Sequence, residues 1–257
     1  MSERRGKSGQ KNHWQAVSLS TDVGRKPKRV LLDGAPVVLF RSTTGISALF
    51  DRCAHRLAEL STGKIVEGEI ECPYHGWRFD GDGRCTAIPG HIGAVPHYRV
   101  RRYRAIERDG VVFVAVGSPE GEPYLHCMQG QDVIVRRVRS STQSTVIDAA
   151  ENILDATHTH FTHKGLLRGL SDKRHLVHVE VTGGEGWVEA CYTGEERQQG
   201  LISRLLEGAR TKTIGRFRHP GIAELEYWGT NGLVLATTFH LRQADERPHR
   251  RRQAVAE

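Results

Sequence analysis

Four residues in the first third of the chain have the types and spacing to hold metal. Cys53-Ala54-His55 is one pair. Cys72-Pro73-Tyr74-His75 is the other, and residues 56–71 separate them. Two thiolates and two imidazoles suit a closed tetrahedral zinc site. They also suit a [2Fe–2S] cluster in which two histidines replace two cysteines on one iron. Each pair offers one sulfur and one nitrogen, whereas a zinc finger more often pairs like ligands on each arm. Gly76 directly follows His75, where the backbone must bend closely around inorganic sulfur.

A second group lies in Glu151–His163, ENILDATHTHFTH. Asp155 and His158 are three apart and share a face if that stretch is helical. His163 follows five later, so a helix end between them would turn both imidazoles toward one point. Two histidines and one carboxylate with open positions make the facial triad of non-haem Fe(II). The same residues also suit solvent-facing histidines at a helix C-terminus, where the dipole favours them.

These residues need elements to hold them. Val30–Phe40 reads as two strands broken at Asp33-Gly34, a hairpin signal. Ser47–Phe50 reads as a short strand, and Ile70–Phe79 runs into the turn Asp80-Gly81-Asp82-Gly83. Arg101–Ile106, Asp109-Gly110 and Val111–Val116 form another hairpin. Both ligand pairs thus fall on loops at strand ends, within a small all-β domain. Gln143–Leu154 has helix formers and no breaker. His175–Val181, Gly186–Tyr192, Ile222–Trp228 and Leu233–Leu241 alternate as strands, which predicts an α+β second part. The terminal RPHRRRQAVAE reads as neither strand nor helix. The expected organisation is a flexible N-terminus at 1–11, a cluster domain at 12–117, a linker at 118–123 and a second domain at 124–257.

The chain of 257 residues carries a formal charge of +7. Part of that charge lies at the ends: Arg4, Arg5, Lys7 and Lys11, then Arg247, Arg250, Arg251 and Arg252. Solvated termini account for it, as does steering toward an acidic redox partner. No basic helix or aromatic-basic platform points to nucleic acid. No run of about 18 apolar residues predicts a membrane span, and the polar start lacks a secretory signal. A cytoplasmic protein is expected. Five cysteines, an odd count, argue against a disulfide framework.

The motifs CAHR at 53–56 and CPYHGW at 72–77 resemble the Rieske family. The additional cysteine of respiratory-chain members is absent, with Tyr74 in one such place, and Trp77 stands where those proteins use a hydroxyl. Fewer hydrogen bonds to sulfur imply a lower potential. The stretch 152–163 resembles the Asn-x-x-Asp-x-x-His-x(4)-His motif of the large terminal subunit of ring-hydroxylating Rieske non-haem iron oxygenases. That resemblance implies a [2Fe–2S] cluster on Cys53, His55, Cys72 and His75, and a mononuclear Fe(II) on His158 and His163. Asp155 would link the iron to a cluster histidine of a neighbouring subunit, and Asn152 would help shape the site. The resemblance further implies a helix-grip, START-like catalytic domain. It implies a homotrimer fed by an NAD(P)H-dependent flavin reductase, with or without a ferredoxin. O₂ and a small organic substrate, aromatic or otherwise apolar, would then be hydroxylated, dihydroxylated or demethylated. The family's third iron ligand, a downstream Asp or Glu, has no match, because Asp245, Glu246 and Glu257 stand in no corresponding context. An incomplete catalytic domain is therefore expected. The alternatives are a Rieske electron-transfer protein or an inactive truncated oxygenase.

Overall fold

The computed structural model of the protein describes residues 12–155, 177–194, 210–243 and 254–256. The chain divides into two compact units, the first running to Tyr124 and the second starting at Leu125. The stretch 118–123 is bonded to the first unit. Trp14 Nε1 donates to the Gly121 carbonyl at 3.1 Å, and the Ser118 N–H donates to Asn12 Oδ1 at 3.1 Å.

Among its described residues, the first unit has eleven short strands. They are β1 (His13–Leu19), β2 (Lys28–Leu32), β3 (Ala35–Ser42), β4 (Gly45–Phe50), β5 (Lys64–Val66), β6 (Glu69–Glu71), β7 (Arg78–Phe79), β8 (Cys85–Ala87), β9 (Arg102–Tyr103), β10 (Ala105–Arg108) and β11 (Val111–Val116). They form three antiparallel sheets, ordered β1-β11-β10, β2-β3-β4-β9 and β5-β6-β7-β8. Two-residue turns with both φ angles positive close three hairpins, at Asp33-Gly34, Glu67-Gly68 and Asp109-Gly110. Their backbone matches the strand twist, which is why Gly takes the second place in each.

β3 shows why the run Val37-Val38-Leu39-Phe40 does not alternate. Val37 and Leu39 pack in one buried cluster with Val17, Val30, Val112 and Val114. Val38 and Phe40 pack in another with Leu49, Leu60, Ile70 and Phe79. A strand buried on both faces has no need of polar residues.

Among the described residues, the second unit holds one antiparallel sheet and one helix. Its elements are β12 (Ser140–Thr142), α1 (Val146–Leu154), β13 (His178–Gly184), β14 (Trp187–Thr193), β15 (Arg210–Arg218), β16 (Ile222–Gly229), β17 (Gly232–Gln243) and β18 (Ala254–Ala256). The sheet order is β12-β18-β17-β16-β15-β14-β13. α1 starts later than the expected Gln143. Thr145 caps it by accepting from the Asp148 N–H at 3.1 Å, while Asp148 accepts from the Thr145 N–H, a capping box. Ala149 and Ala150 bury against Ala223 and Leu241, with Phe217 and Phe239 alongside.

Two departures from the sequence reading have local causes. Residues 254–256 are a strand paired with 140–142, so the terminal stretch is not wholly irregular; three residues are too few to show a period. Arg210–Arg218 is a central strand despite its many basic and hydroxyl side chains, because part of its polar face is satisfied by its neighbours. Among the described residues, no helix is long and apolar enough to cross a membrane.

Candidate metal centre

Two loops converge at one edge of the first unit. The first leaves β4 and carries Cys53 and His55. The second leaves β6 and carries Cys72 and His75. Each is pinned by matching backbone bonds. The Leu57 N–H donates to the Cys53 carbonyl at 2.9 Å, and the Gly76 N–H donates to the Cys72 carbonyl at 3.0 Å. The Cys53 N–H donates to the Ala58 carbonyl, and the Cys72 N–H to the Trp77 carbonyl. Gly76 has φ +71°, and a Cβ there would lie 3.0 Å from Pro89 Cγ. Only glycine takes that bend without strain.

The four side chains are sorted by depth. Cys53 and Cys72 are buried, free thiols beside one another. His55 and His75 are exposed, with ring centroids 4.6 Å apart. Trp77 lies parallel to the His55 ring at 4.7 Å and 4°, and its buried indole closes one side. Burial, with Cys72 adding to it, pushes the Cys53 thiol up to about 11. Desolvation, then the charges of His75 and Arg56, hold the His55 imidazole below its ordinary value. A neutral imidazole is the ligand form, and a bound cation reverses the preference of the thiols.

This donor set fits a two-iron cluster. The loop residues form a thiol pair, Cys53 with Cys72, and an imidazole pair, His55 with His75. A Rieske-type cluster takes two thiolates on one iron and two imidazoles on the other.

A buried carboxylate missed in the sequence holds the first loop. Asp51, fully buried, accepts from the Ser61 N–H and Oγ, both at 2.7 Å, and from Arg29 Nη1 at 3.0 Å. Arg29 also reaches Glu59 at 2.9 Å, which pairs with Arg52 at 3.1 Å. Both ends of the stretch 51–61 are thereby fixed. The only sequence signal was an acid ending an apolar run just before Cys53.

The second group divides differently. Asn152 is an exposed residue of α1, and Asp155 is its exposed C-cap, with its N–H donating to the Glu151 carbonyl at 2.9 Å. His158 and His163 lie outside the described residues.

Comparisons with known proteins agree with this geometry. Residues 13–99 match the model of the Rieske [2Fe-2S] domain. The chain is 31% identical over 212 residues to the oxygenase component of dicamba O-demethylase from Stenotrophomonas maltophilia, covering 78% of this chain and 61% of that protein. It is 40% identical over 119 residues to phenoxybenzoate dioxygenase subunit alpha from Ectopseudomonas oleovorans, covering 45% and 29%. The chain thus spans less than two thirds of the curated relatives it matches. Among solved structures, dicamba monooxygenase bound to dicamba superposes with a TM-score of 0.70 at 21% identity, over 95% of this chain and 75% of that one. Pseudomonas putida CBB5 NdmA with caffeine gives 0.74 at 22%, over 95% and 73%. These two likenesses show a shared fold. Residues 13–99 are thus a Rieske [2Fe–2S] domain, and over most of its length the chain is similar to oxygenase components of Rieske non-haem iron oxygenases.

Proposed function

We propose that the chain is the electron-accepting and catalytic component of a Rieske oxygenase. The carrying observation is the sorting of the four loop side chains, with thiols paired inside and imidazoles paired at the surface. A [2Fe–2S] cluster on Cys53, His55, Cys72 and His75 would supply one-electron redox chemistry. The protein contributes the rest. The buried thiols and Trp77 exclude water from the sulfur side. The exposed edges of His55 and His75 form the path by which charge enters and leaves. Asp51 and Arg29 keep the first loop in register with the second.

In the second unit, His158 and His163 are the proposed ligands of a mononuclear Fe(II), which would supply O₂ chemistry. Asp155, as the α1 cap, is proposed to accept a hydrogen bond from a cluster histidine of a neighbouring protomer in a head-to-tail trimer. The substrate class is a small aromatic or otherwise apolar organic molecule, and the outcome is hydroxylation, dihydroxylation or demethylation. A flavin reductase, directly or through a ferredoxin, supplies electrons.

Iron and sulfide assays on anaerobically reconstituted protein test this reading. About three irons per chain supports both centres, and about two reduces the chain to an electron carrier. A colourless protein holding a single zinc overturns the reading. Substrate-dependent O₂ uptake with a surrogate reductase then separates an oxygenase from an inactive relative.

A further inference from the structure

Four arginines, Arg84, Arg99, Arg101 and Arg102, line a cleft of about 370 Å³ in the first unit, with Val100 and Asp82. All four are exposed. Arg102 pairs with Asp82 at 2.5 Å, and Arg101 lies over the Tyr103 ring at 4.9 Å. Among the described residues, no acid forms an ion pair with Arg84, Arg99 or Arg101. The other nearby carboxylate, Asp80, accepts from the Asp82 and Arg84 backbone N–H groups. Arg84 and Arg99 are also direct partners in an antiparallel bridge, and like charges placed opposite each other destabilise a sheet. The fold thus holds positive charge together with no internal gain.

The location matters as much as the sign. Segment 98–103 is stitched to both ligand-bearing stretches. The Phe50 N–H, at the end of the strand entering the first loop, donates to the Arg101 carbonyl at 2.8 Å. Beyond the second loop, the Cys85 N–H donates to the Tyr98 carbonyl at 2.9 Å and the Val100 N–H to the Gly83 carbonyl at 2.8 Å. Tyr98, next to Arg99, has its ring 5.0 Å from Trp77, which stacks on His55. A line of rings, Tyr98, Trp77 and His55, therefore starts at the residue next to Arg99 of the cleft and ends at an exposed loop histidine.

We propose that this arginine cleft is the docking surface for the electron donor, a small one-electron carrier protein with an acidic surface. The proposal rests on the reading of the chain as an electron acceptor. One electron leaves the reduced donor and enters the oxidised cluster, so the donor is oxidised by one electron and the cluster reduced by one. No bond is made or broken. Complementary charge raises the encounter rate and fixes orientation, and salt weakens both.

The test uses the full chain with its cluster and a photoreduced plant-type [2Fe–2S] ferredoxin as the acidic probe. Cluster reduction is followed by stopped-flow at about 0.02 M and about 0.3 M salt. Binding of the oxidised probe to the oxidised chain is measured separately by calorimetry. The expected result is a rate that falls at least about ten-fold with salt. At low salt, R84E/R99E should lose a similar factor in both rate and affinity. R84K/R99K should retain most of both, and R250E/R251E/R252E at the terminus should change neither by more than about two-fold. Dithionite is the reference reductant. If it reduces every variant alike and R84E/R99E accepts electrons from the probe as fast as the parent, the docking surface is refuted while electron acceptance stands. Loss confined to the terminal variant, or no reaction of the parent with the probe, also overturns it. A cluster that no reductant reduces refutes the functional reading and this proposal together.

Discussion

Two polar constellations among the described residues, the loop ligands of the first unit and a buried row in the second, differ in how they use their hydrogen-bonding capacity. In the second unit, Glu189, Arg216, Glu224 and Thr238 stand in one row across β14, β15, β16 and β17. Arg216 contacts Glu189 at 2.6 Å, Glu224 at 3.2 Å and Glu226 at 3.0 Å. Fully buried Glu224 also accepts from Thr238 Oγ1 at 2.9 Å and from the Cys127 N–H at 3.0 Å, while Trp228 Nε1 donates to Glu226 at 2.9 Å. The three carboxylates hold Arg216 above its ordinary value against the opposing effect of burial. Desolvation first, then Glu224 and Glu226, push the Cys127 thiol up to about 12, so it stays a neutral filler. In the first unit, the two thiols and two imidazoles face mainly one another. A buried polar group that closes its own inventory is structural, whereas one left with aligned, mutually facing donors is built to receive something.

The largest expected effect breaks the first constellation. Cys72→Ser should remove the [2Fe–2S] absorption and lower the iron count by about two per chain, since a thiolate ligand is lost. The mononuclear iron proposed for the other unit should remain. Iron and sulfide assays with visible spectra check this. Retention of both cluster irons would show that Cys72 is not a ligand.

Next in size is the second constellation. Arg216→Met strands Glu224 in the core without its counter-charge, and loss of one partner of a buried pair costs about 3–5 kcal/mol. Urea unfolding followed by circular dichroism measures it. Adding E224Q and E226Q should recover part of that loss, because the uncompensated charge is gone. The cluster spectrum should be unchanged in both variants. A cluster lost with Arg216→Met would erase the distinction between the two groups.

The difference also explains what the sequence made legible. The cluster ligands stood out because loop chemistry is local: two residue pairs, each within four positions, with Gly76 marking the bend. Hairpins at Asp33-Gly34 and Asp109-Gly110 were equally plain. The buried row was not, because its members come from four strands and only the sheet register brings them together. Arg210–Arg218 went unread as a strand for that reason, since its Arg216 is satisfied by Glu189, Glu224 and Glu226 rather than by water. Asp51 was missed likewise, as its partners Arg29 and Ser61 are distant in sequence. His158 and His163 lie outside the described residues, and their proposed role comes from the motif resemblance.

A smaller effect sharpens the comparison through pH. His240 Nε2–H donates to the Leu125 carbonyl at 2.7 Å, tying the start of the second unit to its sheet. Desolvation lowers the His240 pKa most; His126 lowers it further, while the Leu125 bond and Glu224 raise it. The unfolded chain therefore binds the proton more readily than the folded one. Below the usual imidazole value of about 6.5, stability should fall as pH falls, until the folded value is passed. His240→Gln should flatten that slope by less than one proton, under about 1.4 kcal/mol per pH unit. Urea midpoints from pH about 7 to about 5 provide the measurement, and an unchanged slope would remove His240 from the account.

The smallest expected effect concerns the helix that carries Asn152 and Asp155. Thr145 and Asp148 satisfy each other's N–H groups at its start, and no basic residue stands in its last turn. With nine residues, α1 is too short to persist without its cap and its packing on Ala223 and Leu241. Thr145→Ala should cost about 1 kcal/mol in the unfolding of the second unit, and Thr145→Ser should restore most of it. Because Asp155 is the residue at which α1 ends, fraying should disturb it more than any group in the first unit. Hydrogen exchange at the Asp155 N–H, bonded to the Glu151 carbonyl, should accelerate in Thr145→Ala, while exchange at the Leu57 and Gly76 amides of the cluster loops stays as it was. Equal acceleration at all three amides would mean that the two units open together, and that the second constellation supports the first.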